Sequence, residues 1–209
     1  MSWKPKPKAI HIAPDEALIR IRDSKVFFDC AYIVPAFDSF EIMKISVQPL
    51  DFSLEGPEGV HSRDRIRTDL KVTFYLRVPR EPEQILSVFE SLGAEAASDR
   101  VKLRETFSSQ FCEGLKTAMS RYEYEEAINR RSCLKDTIIE SIGLELNGFQ
   151  LEDVAVTRLQ QTPLEYLDPK DPFDAEGIVR ITDRTAHQHV KTNKIRRSVE
   201  KELERLKAL

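Results

Sequence analysis

The chain has 209 residues, of which 41% are hydrophobic and 32% charged, with a formal net charge of −3. That length suits one large domain or two small ones with a real core, and the weak overall charge excludes a chain that is basic throughout and grips nucleic acid by charge alone. Seven glycines, none in a GxGxxG or phosphate-loop arrangement, exclude the common nucleotide-binding turns.

The small total hides a split. Residues 1–8 carry +3 from Lys4, Lys6 and Lys8, residues 181–209 carry +4, and residues 9–180 carry −10. No stretch reads as a spanning helix, which needs about 20 apolar residues. The most apolar stretch, Val26 to Phe40, is interrupted by Asp29, Pro35 and Asp38. No apolar run follows the charged start, so no signal peptide is expected. Cys30, Cys112 and Cys133 are odd in number, far apart and without a Cys-x-x-Cys pair. Reduced thiols are expected, with neither a disulfide frame nor a zinc site.

In chain order, short strands are expected near Ile10–Ile12, Ala17–Ile21 and Val26–Cys30. Ile45 and Val47 share one parity and Leu50, Phe52 and Leu54 the other, with Pro49 at the switch. Proline cannot donate to a ladder, so a bulge or an edge strand is expected there. Gly56-Pro57-Glu58-Gly59 marks a turn. Ile66, Leu70, Val72, Phe74, Leu76 and Val78 then alternate with charged and polar residues, which predicts a strand with one buried and one wet face.

Pro82 opens a helix that closes near Gly93. From Asp99, apolar residues at 103, 107, 111, 115, 118 and 122 predict a six-turn helix. Leu134, Ile138, Ile142 and Leu146 predict another that stops at Gly148. Phe149 to Leu159 reads as a returning strand, 161–167 as one helical turn, and 173–209 as a helix to the end. A heptad from 181 to 206 finds aliphatic residues only at Ile181, Ile195, Val199 and Leu206, a weak coiled-coil seam and the candidate self-association positions.

Little here points to catalysis. His187 and His189 are two apart, so a helix turns them about 200° away from each other and they cannot chelate together. His11 and His61 are isolated, and neither a metal nor a cofactor is expected. Cys112 and Cys133 fall in apolar-periodic helices, as small core residues do. Glu123, Glu125 and Glu126 read as a helix start. Ser62-Arg63-Asp64-Arg65 reads as a turn with solvated charges, with anion binding the other reading. Trp3 among Lys4, Lys6 and Lys8 is either a loose leader or a foot on a lipid headgroup layer. Arg180, Arg184, Lys191, Lys194, Arg196 and Arg197 could touch phosphate, but no aromatic follows Phe173, so nucleic acid is not an expected partner.

The order of elements resembles the SPFH or band-seven family of stomatins, prohibitins, flotillins and HflK/HflC proteins. Glu58 to Asp69, with Arg63 and Asp64, is similar to the family's charged hairpin. Tyr124 to Ile128 with Arg130, including Glu126, resembles its short acidic turn, and Gly143 to Val154 its entry to the last strand. Leu159 to Asp168, with Thr162 and Pro163, and Phe173 to Gly177 resemble the bacterial flotillin-like branch.

The resemblance implies an α+β fold: a twisted, mainly antiparallel sheet flanked by helices and followed by a long terminal helix. The expected plan is a basic leader at 1–8, the SPFH domain at 9–160, a connector at 161–172 and a projecting helix at 173–209 that begins a coiled coil. It also implies a non-enzymatic scaffold that assembles with copies of itself into rings or cages. Such a scaffold would sit peripherally on the cytoplasmic side of a membrane, organising microdomains, with a membrane protein as a further partner. The alternative is a soluble adaptor whose terminal helix docks a partner protein without lipid. Flotillin-like chains commonly begin with a membrane segment and continue into a long coiled coil. The expectation is therefore either a piece of a longer chain or a divergent soluble member.

Overall fold

A computed structural model describes residues 7–34 and 37–207. Five short strands come first: β1 (Lys8–His11), β2 (Glu16–Arg20), β3 (Lys25–Phe27), β4 (Cys30–Ile33) and β5 (Phe40–Lys44). β1 and β4 form an antiparallel ribbon, and β3-β2-β5 form a small antiparallel sheet. Alternation gives β2 two buried faces. Leu18 packs under the ribbon with Ile12, Ala31 and Ile33. Ala17 and Ile19, with Met43 of β5, face the main core instead.

The larger sheet contains β6 (Gln48–Leu54), β7 (Val60–His61), β8 (Arg67–Arg77), β9 (Glu145–Leu146) and β10 (Phe149–Gln161). Its order is β6-β8-β10-β9, with β7 also on β8, and every pairing is antiparallel. Pro49 sits on edge strand β6 without a register break. The parity change before it is a passage from one sheet to the next. The predicted face of β8 is buried from Leu70 to Val78. Its other face is not wet throughout: Asp69 and Thr73 are buried as well. Asp69 accepts hydrogen bonds from the Gly56 N–H at 2.9 Å and Thr162 Oγ1 at 2.8 Å, because the returning chain covers that end of the sheet.

Helices α1 (Pro82–Leu92), α2 (Ala94–Ser98), α3 (Arg100–Met119), α4 (Tyr124–Asn129) and α5 (Arg131–Ile142) follow. Asp99 caps α3 by accepting from the Val101 N–H. Of the predicted α3 stripe, Leu103, Phe107, Phe111, Leu115 and Ala118 are buried, whereas Tyr122 lies beyond the end of α3 at Met119 and is only partly buried. Phe52, Phe74, Phe107, Phe111 and Phe149 form a continuous aromatic cluster, with Phe74 and Phe111 centroids 4.3 Å apart. At Gly114 a side chain would collide with Ile142, so this glycine sets how closely α3 and α5 approach.

Two expectations are corrected. α5 ends at Ile142, not Gly148, because Gly143 takes φ +90° and its N–H closes the helix on Ile139 O. Leu146 therefore lies on β9, and Asn147 (φ 51°) with Gly148 (φ 92°) makes a two-residue hairpin into β10. Asn-Gly supplies the two positive φ angles such a turn needs. Cys133 is exposed and Cys112 only half-buried, so Cys133 is not a core residue. It lies one position before Leu134 and off the stripe that α5 buries.

A 3-10 turn at Leu164–Tyr166 leads to α6 (Pro172–Lys207), 36 residues long. At 1.5 Å per residue it extends about 54 Å.

Candidate functional site

The hairpin between β7 and β8 is the socket on which α6 starts. Ser62 Oγ lies 2.6 Å from Asp64 Oδ1 and 2.8 Å from Ile66 O. The Arg65 N–H closes the turn on Ser62 O, with Arg65 itself at φ +63°. Asp64 Oδ1 also accepts from the Tyr124 N–H at 3.0 Å, at the first residue of α4. Arg63 donates its N–H to Tyr122 O, and its guanidinium meets Glu123 at 3.2 Å and Glu126 at 3.6 Å. Ser62 and Asp64 are only 2% and 3% exposed. The stretch is a turn, as expected, but its central charge is buried and not solvated. Helices returning from far along the chain cover it, which local turn chemistry does not reveal.

Asp174 in the first turn of α6 is the other half of the socket. Its carboxylate is fully buried and meets His61 Nε2, Arg67 Nη2 and the Asp168 N–H, each at 2.9 Å. Burial opposes ionisation, but the Asp168 N–H, His61 and Arg67 outweigh it and hold the carboxyl below the usual range. The Arg65 guanidinium lies over the Phe173 ring, 4.4 Å from its centre. A Cβ at Gly177 would come within 2.5 Å of Arg65 O, so only glycine allows this approach. Ile181 packs on Ile66 and Leu167. Arg184 reaches Asp64 Oδ2 at 3.4 Å and Glu125 at 3.5 Å.

The residues singled out from the sequence thus separate by place. Arg63, Asp64, Glu126, Thr162 and Gly177 all lie in or against this socket. Arg130 pairs with Glu126 at 3.4 Å, and the Pro163 carbonyl starts the turn before α6. Gly143 stands apart as the end of α5. Ile181 is a correction: it is buried inside its own chain and is not a free self-association position. Arg67 and Asp174 carry no signal of their own in the sequence, and His61, which reads there as isolated, pairs with Asp174. Asp174 inside a helical first turn carries no signal until His61, 113 residues away, is seen beside it. Among the described residues no cluster of three or more His, Cys, Asp or Glu has a metal-binding arrangement.

Beyond Arg184, every described residue of α6 is exposed. Ile195, Val199, Leu203 and Leu206, spaced by four, four and three, lie in one narrow stripe with exposures of 51–64%. Leu203 falls off the strict heptad, which places Glu202 at that turn.

A second apolar surface lies at the far end of the small sheet. Ile21, Phe37 and Phe40 are exposed, Phe37 by 66%. The Ile21 N–H bonds to Ser39 O, and the Phe37 N–H to Val34 O. Buried Asp38 holds this loop by accepting from the Val34 N–H at 2.9 Å, and Arg22 pairs with its other oxygen at 3.1 Å. Arg22 and Lys25 stand exposed beside it. Phe37 and Phe40 fall within the 26–40 stretch that the sequence marks as most apolar, and Ile21 lies just before it. Lys8 is the exposed first residue of β1. Trp3, Lys4 and Lys6 lie outside the described residues.

The SPFH domain / Band 7 family pattern matches residues 13–199. The chain belongs to the SPFH/Band 7 family. It is 26% identical over 172 residues to the "Flotillin family inner membrane protein YqiK" of Escherichia coli, covering 81% of this chain and 31% of that protein. It is 20% identical over 204 residues to the "Flotillin family inner membrane protein sll1021" of Synechocystis, covering 92% of this chain and 28% of that one. The chain therefore spans about a third of the length of these flotillin-family relatives. The α+β architecture with its long terminal helix is that of an SPFH domain. Among the described residues no helix is long and apolar enough to cross a membrane.

Proposed function

We propose that this SPFH chain is part of a membrane-associated, non-enzymatic scaffold whose copies assemble side by side through the outer part of α6. The observation that carries the reading is the stretch from Thr185 to Lys207, exposed at every position yet bearing the stripe Ile195, Val199, Leu203 and Leu206. A solvated single helix is marginal in water, and its stability in proteins comes from packing an apolar face. A second copy of α6 supplies that packing. The flotillin-family relatives carry "inner membrane protein" in their names. The exposed end at Ile21, Phe37 and Phe40, flanked by Arg22 and Lys25, suits a lipid headgroup layer. Burying one such side chain contributes about 1.5–3 kcal/mol, and each cation near anionic lipid about 1 kcal/mol. Attachment is peripheral through this end, on the cytoplasmic side, with a membrane protein as a further partner.

Two measurements test the reading. In sedimentation, the wild-type chain forms oligomers, and Val199→Glu/Leu203→Glu shifts it to monomer while the thermal melting of the main core is kept. In flotation on phosphatidylcholine vesicles containing phosphatidylglycerol, the chain floats, and Phe37→Glu reduces the floating fraction severalfold. A monomeric wild type sinks the scaffold, and flotation by neither protein favours the lipid-free adaptor.

A further inference from the structure

The part of α6 that touches the domain rests on a seat separate from the main core. Ile66, Leu167 and Ile181 form their own small cluster, flanked by Tyr124 and Ile178. The large core holds the faces of β6, β8, β10, α1, α3 and α5 and includes none of these residues. The rest of the seat is polar: Asp174 with His61 and Arg67, Arg184 with Asp64 and Glu125, and Arg65 on Phe173. One of these grips is only half made. Asp64 Oδ2 is buried, accepts no hydrogen bond, and has only the 3.4 Å approach of Arg184 to offset its charge. An unsatisfied buried acceptor lowers the stability of the state that buries it.

We propose that the seat is a clasp: residues 172–184 of α6 leave the 61–67 hairpin as a unit, while the main core stays folded, and α6 then changes its angle to the domain. Parts that share no core open in separate cooperative steps. Opening returns Asp174, Arg67, Asp64 and Arg184 to water, which offsets much of the electrostatic loss. The apolar loss is limited to three buried side chains and the partly buried Tyr124 and Ile178. α6 is the lever, so a small change at the clasp becomes a large displacement of the distal stripe. Gly177 gives a handle on this equilibrium, since any larger side chain meets Arg65 O and blocks closure while touching no main-core residue.

The test is hydrogen exchange of the full-length chain with Gly177→Val and, as a gentler variant, Arg184→Gln. Amides of 173–185 and of the 61–67 hairpin exchange about tenfold faster or more in the variants, while those of β8 and α3 keep their wild-type rates. Spin labels at Glu90→Cys and Lys194→Cys, with the native cysteines replaced by serine, give one narrow distance in the parent and a broad or second distance with Gly177→Val. Equal acceleration of β8 and α3 overturns the clasp, because the seat is then part of one cooperative unit. Unchanged exchange at 173–185, or an unchanged distance distribution, overturns it too.

Discussion

Asp174 shows how one side chain takes its meaning from its surroundings. With no exposed surface and three donors at 2.9 Å, its carboxylate is ionised in the folded chain below the range of a free carboxylic acid. A carboxyl lowered on folding contributes stability above its unfolded value of about 3.9 and loses it as pH falls through the folded one. Protection of α6 amides 173–185 is therefore expected to be insensitive to this group from pH 7 to about 5 and to decline progressively as pH falls below about 4 toward the lowered folded value. Asp174→Asn should remove that step, which pH-dependent exchange over 173–185 reads directly. Asp64 makes the same point. Its place in a charged turn is visible in the sequence. Its burial is not, because Tyr124 and Arg184 cover it only once 60 and 120 further residues have folded back.

Periodic elements were the most legible. β8 and α3 carry strong periods of two and 3.6, and both lie where the pattern places them. α5 ends earlier than the periodicity places it: Leu146 fits the helical stripe, but the two glycines at 143 and 148 do different things. Gly143 stops the helix and Gly148 turns a hairpin. Gly114 was silent in the sequence, although it sets the α3–α5 distance. In Gly114→Ala the helix-propensity gain of about 1 kcal/mol opposes an overpacking cost of about 1–3 kcal/mol against Ile142. A net destabilisation in urea melts is expected, and adding Ile142→Ala should cost less than the two single effects summed.

Across the whole molecule, charge is arranged in blocks. The body carries −10 over residues 9–180, and the stretch 184–197 of α6 holds five Lys/Arg and no acid. Such a cationic segment attracts the acidic body of a neighbour, a contact that adds to the α6 pairing proposed above and offsets the repulsion between the cationic stretches of paired helices. Raising salt from 50 to 500 mM shortens the screening length severalfold, so sedimentation should show smaller oligomers at high salt. Oligomers indifferent to salt would assign assembly to the apolar stripe alone.

By itself the sequence determined the family, the α+β order of elements and the projecting helix, because periodicity and short motifs are local properties of the chain. It also determined the near-neutral total of −3 and its division into basic ends and an acidic body. Only the tertiary structure decided which charges are buried, which apolar residues stay exposed, and that Ile181 belongs inside while Leu203 joins the free stripe. Those depend on segments distant in sequence meeting in space. His61 and Asp174 acquire a common role only when β7 and α6 are brought together.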